Sequence, residues 1–412
     1  MTDYQRWQKS SLEQTLALRR VVMLTGPRQC GKTTLVRKLV SDSNTYRTLD
    51  DLAVRQAAEN DPHLFVGFAP KDGTLIIDEV QKVPDFLPAI KKVVDLGNRP
   101  GQFLITGSAN ILNLATVQES LAGRLGKIRL RPLSQGEIVG SNPFFLDQAF
   151  AQKFQRPTIK SSRNNLIEAI FQGGFPEAIR MEGKMRRNWH IDYVDALIEH
   201  DLNDITNIRH TEVMKDLVRV LAAWSSKFMD VSSIGSGLSV DRRTLASYIS
   251  ALQSFYIVEA VPAWRKTDYD RVGKQSKLFM ADTGMMTALL GWRPSDFADD
   301  ADKAGKAFET FVYCQLASEI DAATESYYLY QYRDHDKREI DFLVERDDRS
   351  LLAIEVKSGI TVKKIDFKHI TWFRENPAKK SSVTGIVLYA GSDILPFGEN
   401  LWAVPIDCMW AN

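Results

Sequence analysis

RVVMLTGPRQCGKTTLVRKLV, residues 20–40, decides how the first third of the chain is read. RVVMLT (20–25) is a short apolar run of the kind that forms a buried strand, and TLVRKLV is amphipathic at helical spacing. Between them GPRQCGKT (26–33) matches G-x-x-x-x-G-K-[ST], with Gly26, Gly31, Lys32 and Thr33 in the required places. Glycines let the backbone wrap a phosphate, and the following helix adds amide donors and a favourable dipole. The expected nucleotide-binding segment is therefore Gly26, Pro27, Arg28, Gln29, Cys30, Gly31, Lys32, Thr33 and Thr34. Lys32 is expected on the β/γ-phosphates of ATP and the Thr33 hydroxyl on Mg2+.

Working outward, TLIIDE (74–79) is a short apolar run ending in two acids, where a parallel strand would meet the nucleotide. Asp78 is the expected Mg2+ partner, and Glu79 the group that polarises the attacking water. QFLITGS (102–108) reads as a further buried strand, with Ser108, or second Asn110, as the polar residue sensing the γ-phosphate. YRTLDD (46–51) is another strand candidate. Strands alternating with helices imply a parallel sheet covered on both faces.

TGPRQxGKTT, the LDD strand, IIDEVQ and LITGS together resemble the additional-strand, catalytic-glutamate P-loop ATPases, and more narrowly their AAA-type group. The resemblance covers most of residues 15–140. It implies that Arg124, in LAGRLGKIRLR (121–131), completes the charge clamp on the γ-phosphate, in cis or from a neighbouring subunit of a homo-oligomer. The other reading of this basic stretch is a solvated strand edge, since KIRLRPL alternates Lys127, Arg129 and Arg131 with Ile128 and Leu130.

The expected organisation is a P-loop ATPase domain over 1–140, a helical and winged-helix-like domain over 141–295, and an α/β domain over 296–412. In the middle part, residues 229–264 read as a short helix, a turn, a longer helix and a strand, with Arg242 and Arg243 where a recognition helix would meet DNA. Such a unit also serves as a packing module. The basic run 265–277 reads either as an approach to phosphates or as a solvated loop. His190, His200 and His210 are evenly spaced, but ten residues turn a helix by about 1000°, roughly 80° off register. Surface or packing histidines are the expectation.

In the last part, REIDFLVE places Ile340, Phe342 and Val344 on one face and Glu339 and Asp341 on the other, if strand alternation holds. LLAIEVK in the same way leaves Glu355 and Lys357 together, opposite Leu352, Ile354 and Val356. An acid followed fourteen positions later by Glu-x-Lys on adjacent strands resembles the arrangement by which nucleases of the restriction-endonuclease-like fold hold Mg2+, which implies Asp341 and Glu355 as ligands and Lys357 orienting the water. Glu309, in AFETFV, matches the further acid that this fold often contributes through a metal-bound water. GGFPE, DTGM (Asp282, Gly284), GKAFE, EIDFLV and IEVKSG resemble the domain of unknown function that follows the ATPase domain in this bacterial and archaeal group. The resemblance implies a restriction-endonuclease-like fold for the tail.

Composition narrows the classes. The 412 residues are 44% hydrophobic and 25% charged, which is ordinary for globular domains, and the net charge is +1, which excludes a charge-driven nucleic-acid coat. Three scattered cysteines argue against a disulfide framework or a cysteine zinc site and fit a reducing cytoplasm. No apolar stretch approaches the length of a membrane span. Two functions stand: an ATPase coupled to a DNA-cutting tail, and an ATP-dependent switch or scaffold whose tail binds DNA or a protein without cutting.

Overall fold

β-Branched and aliphatic residues dominate VVMLT, and in the computed structural model Val21–Thr25 is a strand, β1, with all five residues buried. The structure describes residues 4–83, 85–107, 121, 123–158, 160–202, 211–266 and 275–411. Around β1 in the first unit lie helices α1 (Gln8–Leu18), α2 (Lys32–Arg37) and α3 (Phe86–Leu96). The other strands are β2 (Thr45–Thr48), β3 (Leu75–Asp78), β4 (Phe103–Gly107) and β5 (Leu125–Arg129). All pairings are parallel, in the order β2-β3-β4-β1-β5. Strand β4 thus stands between the glycine-loop strand and the acid-ended strand.

Successive residues of β1 feed two cores. Val21 and Met23 join Ile77, Phe103 and Ile105 against Phe86 and Ile90 of α3. Val22 and Leu24 join Ile76 and Leu104 against Leu12 of α1 and Leu35 of α2. Burial on both faces explains why these strands read as unbroken apolar runs.

The remainder, Leu133–Gln253 with Ile257–Asn412, clusters as one compact unit, so residues on both sides of position 295/296 belong together. Its helices include α4 (Arg163–Gln172), α5 (Gly183–Ala196), α6 (Thr211–Trp224) and α7 (Arg242–Ser254). Strands β6 (Lys227–Phe228), β7 (Val258–Val261) and β8 (Lys277–Met280) form a three-stranded antiparallel sheet in the order β6-β8-β7. Then come α8 (Thr283–Leu289) and the long α9 (Ala301–Ala322). Strands β9 (Tyr327–Arg333), β10 (Glu339–Arg346), β11 (Leu351–Lys357), β12 (Val383–Tyr389), β13 (Leu395–Gly398) and β14 (Leu401–Pro405) build a mixed sheet, with α10 (Lys368–Glu375) between β11 and β12. The order is β13-β14-β12-β11-β10-β9, parallel through β11, β12 and β14 and antiparallel elsewhere.

Polar groups on α9 tie its sheet to the preceding segment. Gln315 accepts from the Gln135 amide at 2.8 Å and Glu319 from the Leu146 amide at 2.8 Å. Strict alternation fails in β10: Ile340, Phe342, Leu343 and Val344 are all buried. Ile340 and Leu343 share one core cluster, while the Phe342 ring lies 5.4 Å from that of Phe279. The reason is a register shift between Ile340 and Leu343 against β9, the signature of a bulge. In β11 both parities from Leu351 to Ile354 are buried and Val356 is only half-buried, because the strand is central and covered on both faces.

Candidate functional site

The glycine loop is held by backbone geometry that other residues would break. At Gly26, φ is +151°, and a Cβ would lie 2.1 Å from the Leu130 carbonyl oxygen. Gly31, at φ +102°, precedes the first residue of α2. Arg6, almost fully buried, donates to the Cys30 and Arg131 carbonyls at 2.6 Å each, bolting the loop to the segment after β5. Lys32 is buried, and its Nζ donates to the Gly26 and Pro27 carbonyls at 3.0 and 2.7 Å. The ammonium is thus held at the centre of the loop.

Of the two acids, Asp78 is the one in contact with this segment. Thr33 Oγ1 donates to Asp78 Oδ2 at 2.8 Å, bringing a hydroxyl and a carboxylate together at the end of β1 and β3. Tyr46 donates to the same oxygen at 2.8 Å, and burial raises its phenol above the usual range. Thr106, fully buried on β4, donates to Asp78 Oδ1 and accepts from the Glu79 amide at 3.2 Å. Glu79 itself sits at φ +60°, just beyond β3, with Gln81 hydrogen-bonded to its carboxylate. An oxygen pair like Thr33 and Asp78 suits Mg2+, a hard cation that takes oxygen ligands.

Sequence reasoning missed Tyr46, Thr106 and Arg6. Thr106 was the findable one, a hydroxyl on the β4 strand facing the acids. Ser108 and Asn110 lie outside the described residues. Of the other loop residues, Cys30 is buried, Arg28, Gln29 and Thr34 are exposed, and Gln29 takes a positive φ of +58°.

Arg124 requires a correction. It immediately precedes β5, whose first residue Leu125 pairs with Val21, the first residue of β1. The glycine loop follows the other end, Thr25, about 13 Å or more along the strand. Arg124 is ion-paired instead with Asp95 of α3. The expected contact in cis is not made, because parallel register puts the arginine at the opposite edge of the sheet.

In the second unit two of the expected carboxylates, Glu309 and Asp341, converge with Glu339 on a lysine. Lys277, on β8, is 1% exposed. Its Nζ lies 2.6 Å from Glu309, 2.7 Å from Glu339 and 3.3 Å from Asp341. Burial alone would discharge this ammonium, yet the acids hold its pKa well above the usual lysine value. Burial, with Asp341 adding to it, pushes Glu309 up to about 8. Asp341 Oδ2 accepts from the Val356 amide at 2.9 Å, one residue beyond the expected Glu355. Burial and Asp341 raise Glu355, which stands 3.5 Å from the Lys357 ammonium.

Fitted against a divalent cation, this arrangement fails. Among the described residues no three His, Cys, Asp or Glu side chains are disposed to hold a metal ion. The expected ligand set Glu309, Asp341 and Glu355 is corrected accordingly: an ammonium lies between Glu309 and Asp341, and Glu355 pairs with Lys357. Lys277 ends the basic run expected to be a loop, and only the tertiary fold shows it as a buried strand residue. His190 is buried and His210 lies outside the described residues. Cys30, Cys314 and Cys408 are free thiols. Among the described residues no helix is long and apolar enough to cross a membrane.

Comparison with known proteins sets the first unit apart in the same way but splits the second in two. Residues 18–139 match the AAA domain model. The first unit has a P-loop ATPase fold of AAA type. Residues 163–296 and 304–409 match two domains of unknown function, DUF8612 and DUF4143. An uncharacterized protein of Mycobacterium tuberculosis is 27% identical over 389 residues, 94% of this chain and 80% of its own length. One of Haemophilus influenzae is 22% identical over 328 residues, 75% of this chain and 72% of its own. Among solved structures, the Walker-type ATPase of Pyrococcus abyssi is similar at 14% identity and a TM-score of 0.43, over 68% of this chain and 94% of that one.

Proposed function

We propose that this protein is an ATP-dependent switch: the first unit binds and hydrolyses ATP, and the second engages DNA or a protein partner without cutting it. The observation that carries the first half is Lys32 held in the glycine loop and Thr33 paired with Asp78 at one end of a parallel sheet, with Thr106 joining the Asp78 carboxylate to the Glu79 amide. Lys32 leaves the Gly26 and Pro27 carbonyls to meet the β/γ-phosphates. Thr33 and Asp78 would hold Mg2+, which offsets phosphate charge when bound. Glu79 orients the attacking water and accepts its proton. A neighbouring subunit of a homo-oligomer is the route left by which Arg124 reaches a nucleotide.

Lys277 supports the non-cutting half. An ammonium already pairs with Glu309 and Asp341, two of the carboxylates that a nuclease would offer to a metal. For contact with DNA, α7 presents Arg242 and Arg243, both exposed, just after its capping Asp241. The antiparallel β6-β8-β7 sheet, two of whose strands follow α7 in the chain, supports the winged-helix reading. The cutting reading keeps one observation in its favour: the β10–β11 pairing brings Asp341 against Val356, beside Glu355 and Lys357.

One pair of assays separates these. Lys32→Ala is expected to abolish ATP binding, and Glu79→Gln to retain binding while slowing hydrolysis by about 100-fold. Equal turnover in wild type and both variants would refute the ATPase assignment. Supercoiled plasmid incubated with wild-type protein, Mg2+ and ATP is expected to stay intact. Nicking that disappears in Asp341→Ala would establish the cutting reading instead.

A further inference from the structure

The second unit contains a cavity of about 740 Å3 that neither the ATPase nor the carboxylate cluster uses. It is bounded by α4, α5 and α8 and by the segment after α8. A volume of this order is that of small-molecule sites, which run from about 300 to 1,000 Å3. Three features of its lining point to a ligand.

The first is His190, on α5, which is 1% exposed and lines the cavity. Among the described residues neither ring nitrogen has a hydrogen-bond partner. The nearby Asp282 is already committed, accepting from the amides of Gly174 at 2.6 Å and Met285 at 2.7 Å. Gly284 presses its backbone on the imidazole, since a Cβ there would fall 2.7 Å from Nε2. Burial lowers the ring's pKa, so it is neutral at pH 7 and offers one donor and one acceptor.

The second feature is charge. Lys184, Arg186, Arg187 and Arg293 line the cavity against two acids, Glu168 and Glu182. Arg186 is oriented by donating its Nε to the Met181 carbonyl at 2.7 Å. The third is an aromatic wall: Phe171 and Trp292 line the space and both pack on Phe297, at ring separations of 5.3 and 5.9 Å.

We propose that this cavity binds a phosphate-bearing heteroaromatic ligand of mononucleotide size. Its phosphate meets the arginines of α5, its ring lies against Phe171 and Trp292, and His190 reads the ring's polar edge. Arginine forks suit phosphate, aromatic faces suit a planar base, and a neutral imidazole can pair with either a donor or an acceptor on it. The site is separate from the glycine loop and does not depend on the ATPase reading.

Calorimetric titration of the full-length Lys32→Ala chain with AMP, GMP, CMP and UMP, and with inorganic phosphate alone, tests this. The Lys32→Ala background weakens the glycine loop's own grip on phosphate. At least one monophosphate is expected to bind one-to-one, and Arg187→Ala, a rim change that leaves the core untouched, to weaken it by about tenfold. His190→Phe is expected to erase the difference between the strongest and weakest of the four. Inorganic phosphate binding as tightly as any monophosphate would overturn the proposal, as would binding unchanged in both variants or no binding at all. Should His190→Phe fail to fold, Arg187→Ala and the phosphate comparison still decide.

Discussion

Thr106 shows how much chemistry one hydroxyl can arrange. It sits on the strand between the glycine-loop strand and the acid strand, fully buried, and serves Asp78 as donor and the Glu79 amide as acceptor. A buried carboxylate oxygen and a backbone amide left unpaired cost about 1–3 kcal/mol. Thr106→Val keeps the shape and removes the bridge. It is expected to lower ATP turnover by about tenfold or more and to destabilise the first unit by that amount, as read by steady-state kinetics and urea denaturation. Turnover at the wild-type level would sink the bridging role. The motif itself named Gly26, Lys32, Thr33, Asp78 and Glu79. It could not name Tyr46, Arg6 or Lys277, whose roles come from chain segments that meet only after folding.

At the scale of elements, α9 is the connector of the second unit, and its polar residues carry a pH dependence. Burial pushes Glu319 up to about 8 in the folded chain, above the 4.5 of a free glutamate. The folded state therefore holds its proton more tightly than the unfolded one. Stability from this group is full below about 4.5 and is lost as pH rises towards 8. In Glu319→Gln the proton is gone but the acceptor for the Leu146 amide remains. The stability difference between wild type and variant, measured by denaturant midpoint from pH 5 to pH 8, is expected to fall steadily with pH. A constant difference would show that Glu319 does not titrate in this window. Elements also mark where period-two reading failed. The bulge in β10 and the double burial of β11 both place apolar side chains on two faces, which a rule built for half-exposed strands cannot represent.

For the whole molecule, the middle and final stretches of the chain cluster as one compact unit. Phe279 of β8 stacks on Tyr313 of α9 at 4.5 Å, and Lys277 of the same strand is buried among the acids of α9 and β10. A fragment starting at residue 296 lacks both partners and leaves Glu309, Glu339 and Asp341 facing one another without a cation. It is expected to be unfolded by circular dichroism, while a fragment of residues 133–412 unfolds cooperatively. A cooperative transition in the shorter piece would show that α9 and its sheet stand alone.

The sequence by itself determined the fold of the first unit, because a phosphate loop is written in consecutive residues and a doubly covered parallel strand is a contiguous apolar run. It also brought out the acids of the second unit, through strand spacing. Only the tertiary structure decided what those acids face, that Arg124 stands at the wrong end of its sheet for its own nucleotide, and that His190 looks into a cavity. Each of these depends on the register between strands or on helices far apart in the chain, and local pattern carries no information about either.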